Sequence, residues 1–74
     1  MIQRALLRRS LPPPGERRRL REGLGLTQAE VAAVIGTTRA AVSRYESGGR
    51  QPRGAVAERY AHLLERIAEE VDVP

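Results

Sequence analysis

Residues 27–46 read TQAEVAAVIGTTRAAVSRYE, and this stretch decides the fold. Thr27 followed by Gln28, Ala29 and Glu30 fits a capping box, in which the threonine hydroxyl accepts the Glu30 amide while Glu30 reaches back. A helix from Gln28 to Ile35 follows, with Val31, Val34 and Ile35 on one face, and Gly36 supplies a residue for which positive φ is cheap. Thr37 and Thr38 offer the N-cap of a second short helix, Arg39 to Glu46, whose apolar contacts Val42 and Tyr45 lie three apart. Ser47, Gly48 and Gly49 stop it. Gln28, Ala32, Gly36 and Val42 carry the pattern. A small Ala32 lets the helices approach, Gly36 allows a sharp turn, and Val42 plugs the core between them. The second helix is thereby held rigidly at a steep angle to the first, the way a recognition helix is presented to a DNA major groove.

Beyond Glu46, Gln51-Pro52-Arg53 is a turn, after which Gly54 to Val71 sets Val56, Tyr60, Leu63, Leu64, Ile67 and Val71 at helical spacing. In the other direction, Pro12, Pro13 and Pro14 bar a helix from crossing them, so a helix begins near Pro14, carries Arg17 to Leu24 and is closed by Gly23 and Gly25. Ile2, Leu6 and Leu7 have helical spacing too, and residues 1–12 read as an extra helix or an arm. No strand alternation or internal repeat occurs. The fold class is a small all-α bundle of four to five helices, with residues 13–74 as one helix-turn-helix domain.

Seventy-four residues give room for one small domain and leave little for a substrate pocket or effector domain, so an enzyme is not expected. Without Cys and with one His, neither a disulfide framework nor a metal site is expected, and no cofactor is called for. No apolar run reaches the roughly 20 residues of a membrane span, and residues 1–10 lack a signal-peptide core, which points to the cytoplasm. All 13 basic residues are Arg, and the net charge is +4. Residues 1–26 carry +5, 27–53 carry +2 and 54–74 carry −3, so the first two-thirds favours a polyanion and the last helix a protein or solvent. Lys, Asn and Phe, all with A/T-rich codons, are absent, which suggests a GC-rich bacterial or phage genome.

On residues 24–32 (LGLTQAEVA), Gly36 to Arg39, and residues 42–48 (VSRYESG) with Arg50 and Pro52, the chain resembles the lambda-repressor/Cro-like (XRE family) helix-turn-helix domains over about Pro14 to Leu64. It departs from their pattern at Ser47, Gly49, Gly54 and Ala57. The resemblance implies a transcriptional regulator, a phage-type repressor or Cro-like protein, that binds palindromic double-stranded DNA as a homodimer; an antitoxin-type protein that also grips a partner protein is the alternative. It puts Thr38, Arg39, Ala40 and Arg44 at base-reading positions, Gln28 and Ser43 at phosphate-contacting ones, and Arg21 opposite Glu46 as a structural ion pair. Chemistry agrees: Arg donates twice to guanine O6 and N7, and Ala40 and the Thr38 methyl suit a thymine methyl. Arg50 and Arg53 follow as phosphate contacts.

Arg17, Arg18 and Arg19 cannot share one helix face and are expected to be mostly solvated. His62 reads as a surface residue, and Tyr45 and Tyr60 as core. Val56, Tyr60, Leu63, Leu64, Ile67 and Val71 form a stripe wider than a short bundle needs, flanked by Glu65, Arg66, Glu69 and Glu70, and Tyr60, Leu63, Leu64, Ile67 and Val71 are expected to form the dimer interface. The other use of that stripe is to pack on Ile2, Leu6 and Leu7 of the same chain.

Overall fold

The computed structural model describes residues 11–72, and the expected helix or arm at the N-terminus, with Ile2, Leu6 and Leu7, lies outside them. Four helices are present among the described residues: α1 (Pro14–Gly23), α2 (Gln28–Ile35), α3 (Arg39–Ser47) and α4 (Gly54–Val71). No strand occurs among them. α1 starts with its proline at the first helical position, where a missing N–H costs no hydrogen bond. The capping box of α2 is complete: Thr27 Oγ1 accepts from the Glu30 amide at 3.0 Å, and the Thr27 amide donates to Glu30 Oε1 at 2.8 Å. Gly36 ends α2 at φ 81°, which lets the Gly36 and Thr37 amides both reach the Ala32 carbonyl and turns the chain at once toward α3.

α1 packs on α3 and α4, and α2 packs on the same two. Leu20, Val31, Ala32, Ile35, Val42, Tyr45, Tyr60, Leu64 and Ile67 fill the centre. The Tyr45 and Tyr60 rings meet at 5.6 Å between centroids, tilted by 39°. At the far end, a Cβ on Gly23 would lie 2.9 Å from a methyl of Val71, so glycine is what allows α1 and α4 to close there.

Three expectations need correction. Val34 does not join Val31 and Ile35 inside but is 61% exposed, because the neighbouring α4 covers only part of the apolar face of α2. Of the run Arg17–Arg19, Arg18 and Arg19 are exposed as expected, but Arg17 is 4% exposed, since the helical turn that buries Leu20 carries Arg17 inward with it. The long stripe of α4 is not a free surface: Tyr60, Leu64 and Ile67 are buried in the protomer's own core and Val71 lies on Gly23, which leaves a half-buried Leu63 facing outward. Leu11 packs against the same core, and the expected contacts of Ile2, Leu6 and Leu7 lie outside the described residues. Tyr60, Leu64 and Ile67, expected at a dimer interface, are thus core residues of the protomer.

Candidate nucleic-acid interface

α3 has two faces with separate tasks. Ala41, Val42, Tyr45 and Glu46 are buried, and Arg39, Ala40, Arg44 and Ser47 are exposed, with Ser43 between them. That division follows the 3.6-residue period of a helix lying on a core. Thr38 caps the helix, its Oγ1 accepting from the Ala41 amide at 3.1 Å, so the hydroxyl is occupied while the exposed residue keeps its methyl for other contacts. The outward edge of α3 thus begins with Thr38, Arg39 and Ala40 and continues one turn later with Arg44.

The buried face is anchored by a polar hub. Arg21 of α1 donates from Nε to Glu46 Oε2, from Nη2 to Glu46 Oε1 at 3.0 Å, and from Nη1 to the Leu26 carbonyl at 2.8 Å. Only 12% of the Arg21 side chain and 4% of the Glu46 side chain are exposed. The bidentate carboxylate holds the guanidinium pKa above its ordinary value against the opposing effect of burial. Arg17 adds a second tie between helices, donating to the Pro12 carbonyl at 2.7 Å and to the Tyr45 carbonyl in the last turns of α3 at 3.0 Å. A cation there also suits the negative end of the α3 dipole.

Gln28 links this hub to the surface. Its Nε2 donates to Glu46 Oε1 at 3.1 Å, and its Oε1 accepts from Arg39 Nη1 at 3.4 Å. The glutamine amide therefore stands between the buried pair and the first side chain of the exposed α3 face, with one amide hydrogen uncommitted. Two concavities flank α3. One, about 270 Å³, gathers Gln28, Ser43, Arg18, Arg21, Glu46 and Ser47. The other, about 730 Å³ at the C-terminal end of α3, brings Arg50 and Arg53 together with Thr37 and Gln51. Arg18 is exposed as expected, yet it lines the same cleft as Gln28 and Ser43. The cue was its i,i+3 spacing from Arg21. The role of Arg17 had a cue as well, the same spacing from Leu20.

Among the described residues, no group of three or more His, Asp or Glu is placed to hold a metal ion, and no helix is long and apolar enough to cross a membrane. Neither the curated proteins nor the solved structures yield a match to the chain. A family model does match: the one described as Helix-turn-helix aligns with residues 18–71, from the first turns of α1 to the end of α4. On that match and on the α2-turn-α3 geometry, the chain belongs to the XRE, lambda-repressor-like family of helix-turn-helix proteins, a DNA-binding family of the transcription-regulator type.

Proposed function

We propose that this protein reads a specific double-stranded operator with the exposed face of α3 and represses transcription, in the manner of a phage-type repressor or Cro-like protein. The observation that carries the reading is the two-faced α3: Arg39, Ala40 and Arg44 face outward while Tyr45 and Glu46 are fixed in the core. A helix so anchored loses little freedom on binding, so its side chains meet base edges already aimed. Arg39 and Arg44 each donate a pair of hydrogen bonds to guanine O6 and N7, and Ala40 and the Thr38 methyl meet thymine methyl groups. Gln28, Ser43, Arg50 and Arg53 hold phosphates on either side and fix the register without reading sequence.

One recognition helix covers too few base pairs for an operator, so two copies occupy a palindromic site with half-sites about 10 base pairs apart. Occupancy alone then regulates, by excluding polymerase or a competing regulator in the cytoplasm of a bacterial or phage-infected cell. No cofactor enters the mechanism. The test is selection from a randomised duplex library, followed by measurement of protein copies per selected duplex. The expected result is a palindromic logo with guanines in each half-site and two copies bound. A logo without symmetry, or one copy at saturation, would defeat the operator model.

A further inference from the structure

A different face of the molecule carries features that DNA reading does not use. On α4, Arg59, His62, Leu63 and Arg66 follow one another at helical spacing, and Val34 of α2 stands across from them. These five residues line a groove of about 440 Å³. Val34 is 61% exposed although its neighbours on α2, Val31 and Ile35, are 1% and 0% exposed. The floor of the groove is thus apolar, and every other lining side chain is basic. Arg59 spends one N–H on the Ile35 carbonyl at 3.3 Å and keeps the rest of its fork. Arg66 lies 3.6 Å from Glu69, with both side chains more than two-thirds exposed, a contact that water and salt weaken.

We propose that this groove binds a short acidic amphipathic segment of a partner protein. An apolar side chain of that segment covers Val34 and Leu63, and carboxylates on either side of it pair with Arg59 and Arg66. Glu58, Glu65, Glu69 and Glu70 are exposed on α4 but do not line the groove. Two arguments favour a segment of that kind over a second copy. A two-fold contact is self-matching, so it would set Arg59, His62 and Arg66 against the same three groups. Two apolar side chains also fall far short of the roughly 800 Å² per partner that a stable dimer buries. A nucleic acid would engage the arginines and leave Val34 and Leu63 uncovered. None of the five residues belongs to the proposed DNA contacts, so operator and partner can be bound at once.

The experiment uses the full chain, labelled with ¹⁵N, and two synthetic helical peptides that share one leucine stripe but differ in flanking charge, Glu in one and Lys in the other. The Glu peptide should shift the amides of Val34, Arg59, Leu63 and Arg66, and the Lys peptide should bind at least about tenfold more weakly. Val34→Asp should remove binding of the Glu peptide, and Arg66→Glu should weaken it while strengthening the Lys peptide. Both variants should bind DNA as the wild type does. Equal binding of the two peptides, no shift with either, or shifts outside the groove would overturn the proposal. So would self-association of the wild type that Val34→Asp abolishes, because the occupant would then be a second copy.

Discussion

The arginines of α1 and those of α3 with its following loop are one residue type in two kinds of employment. On α1, Arg17 donates to two carbonyls, Arg18 pairs with Glu22, Arg19 with Glu16 and Asp72, and Arg21 with Glu46. Beyond Thr38, Arg39 has a 3.4 Å contact to Gln28, while the guanidinium groups of Arg44, Arg50 and Arg53 have no hydrogen bond or ion pair among the described residues. A guanidinium whose donors are matched inside the protein fixes helix positions. One whose donors are unmatched has them available for a base edge or a phosphate. Net charge treats both groups alike, and so would a count of arginines.

The comparison is tested most severely at Arg21 and Glu46. Removing one partner leaves the other charge buried, which should cost about 3 to 5 kcal/mol, a large part of the 5 to 15 kcal/mol that holds a typical domain together. Arg21→Ala and Glu46→Ala should both melt far below the wild type or fail to fold at ambient temperature. If either loses only a degree or two in a thermal melt, the pair does not anchor α3.

Arg17 and Arg18 are adjacent and chemically identical, and within α1 they separate a buried tie between helices from an exposed pair within one helix. Arg17→Ala leaves the Pro12 and Tyr45 carbonyls without their donor in a site from which water is largely excluded, and should destabilise by about 1 to 3 kcal/mol. Arg18 is 64% exposed at its side chain and pairs only with a half-exposed Glu22, so its removal should change stability by no more than about 0.5 kcal/mol. Denaturant titrations of the two variants decide this. Equal effects would mean that burial of Arg17 contributes nothing to stability.

On the exposed side the currency changes from stability to recognition. Arg39→Ala and Arg44→Ala should melt like the wild type yet lose about 1 to 3 kcal/mol of preference at one or two base pairs. Arg50→Ala and Arg53→Ala should weaken every sequence alike and lower the salt slope of binding by about one. Binding measured against a panel of single-base operator variants at two salt concentrations distinguishes these. A single pattern shared by all four substitutions would show that the protein holds DNA without reading it through α3.

The helices were legible because their signals are local. Thr27 and Glu30 lie three residues apart, Gly36 and Gly48 mark left-handed ends, and the stripe of α4 repeats every three or four residues. What periodicity leaves open is which helix covers a given face, and how much of it. Val34 has the same spacing relation to Val31 as a core residue, yet α4 stops short of it. The α4 stripe looked wide enough for two purposes, and the protomer uses nearly all of it. Arg17 was hidden by the run of three arginines, where the eye follows charge; its position one turn before Arg21 was the better guide. The Gln28 amide was less legible still, since its orientation depends on Glu46, eighteen residues away and on another helix.

The smallest effect at neutral pH belongs to Tyr60, which lies within the hub but is not fixed by it. The residue is 1% exposed, and its hydroxyl has no hydrogen-bond partner among the described residues. Burial, with Glu46 adding to it, pushes the hydroxyl up to about 12, although Arg17 and Arg21 pull the other way. In the unfolded chain the same group titrates near 10. Below about pH 10 both states keep the proton, and Tyr60 adds no pH dependence. Between about 10 and 12 the unfolded state gives up its proton first, so stability should fall with rising pH through that window, by about 2 to 3 kcal/mol in all. Tyr60→Phe removes a buried hydroxyl that gains nothing from its surroundings, so at pH 7 it should melt at or slightly above the wild-type temperature. It should also lose the Tyr60 share of the alkaline decline. Paired melts at pH 7 and across the alkaline window check both statements. A Phe variant that melts several degrees lower at pH 7 would mean that the hydroxyl is held by the hub after all, and Tyr60 would then belong with Arg17 and Arg21 among the groups that fix α3.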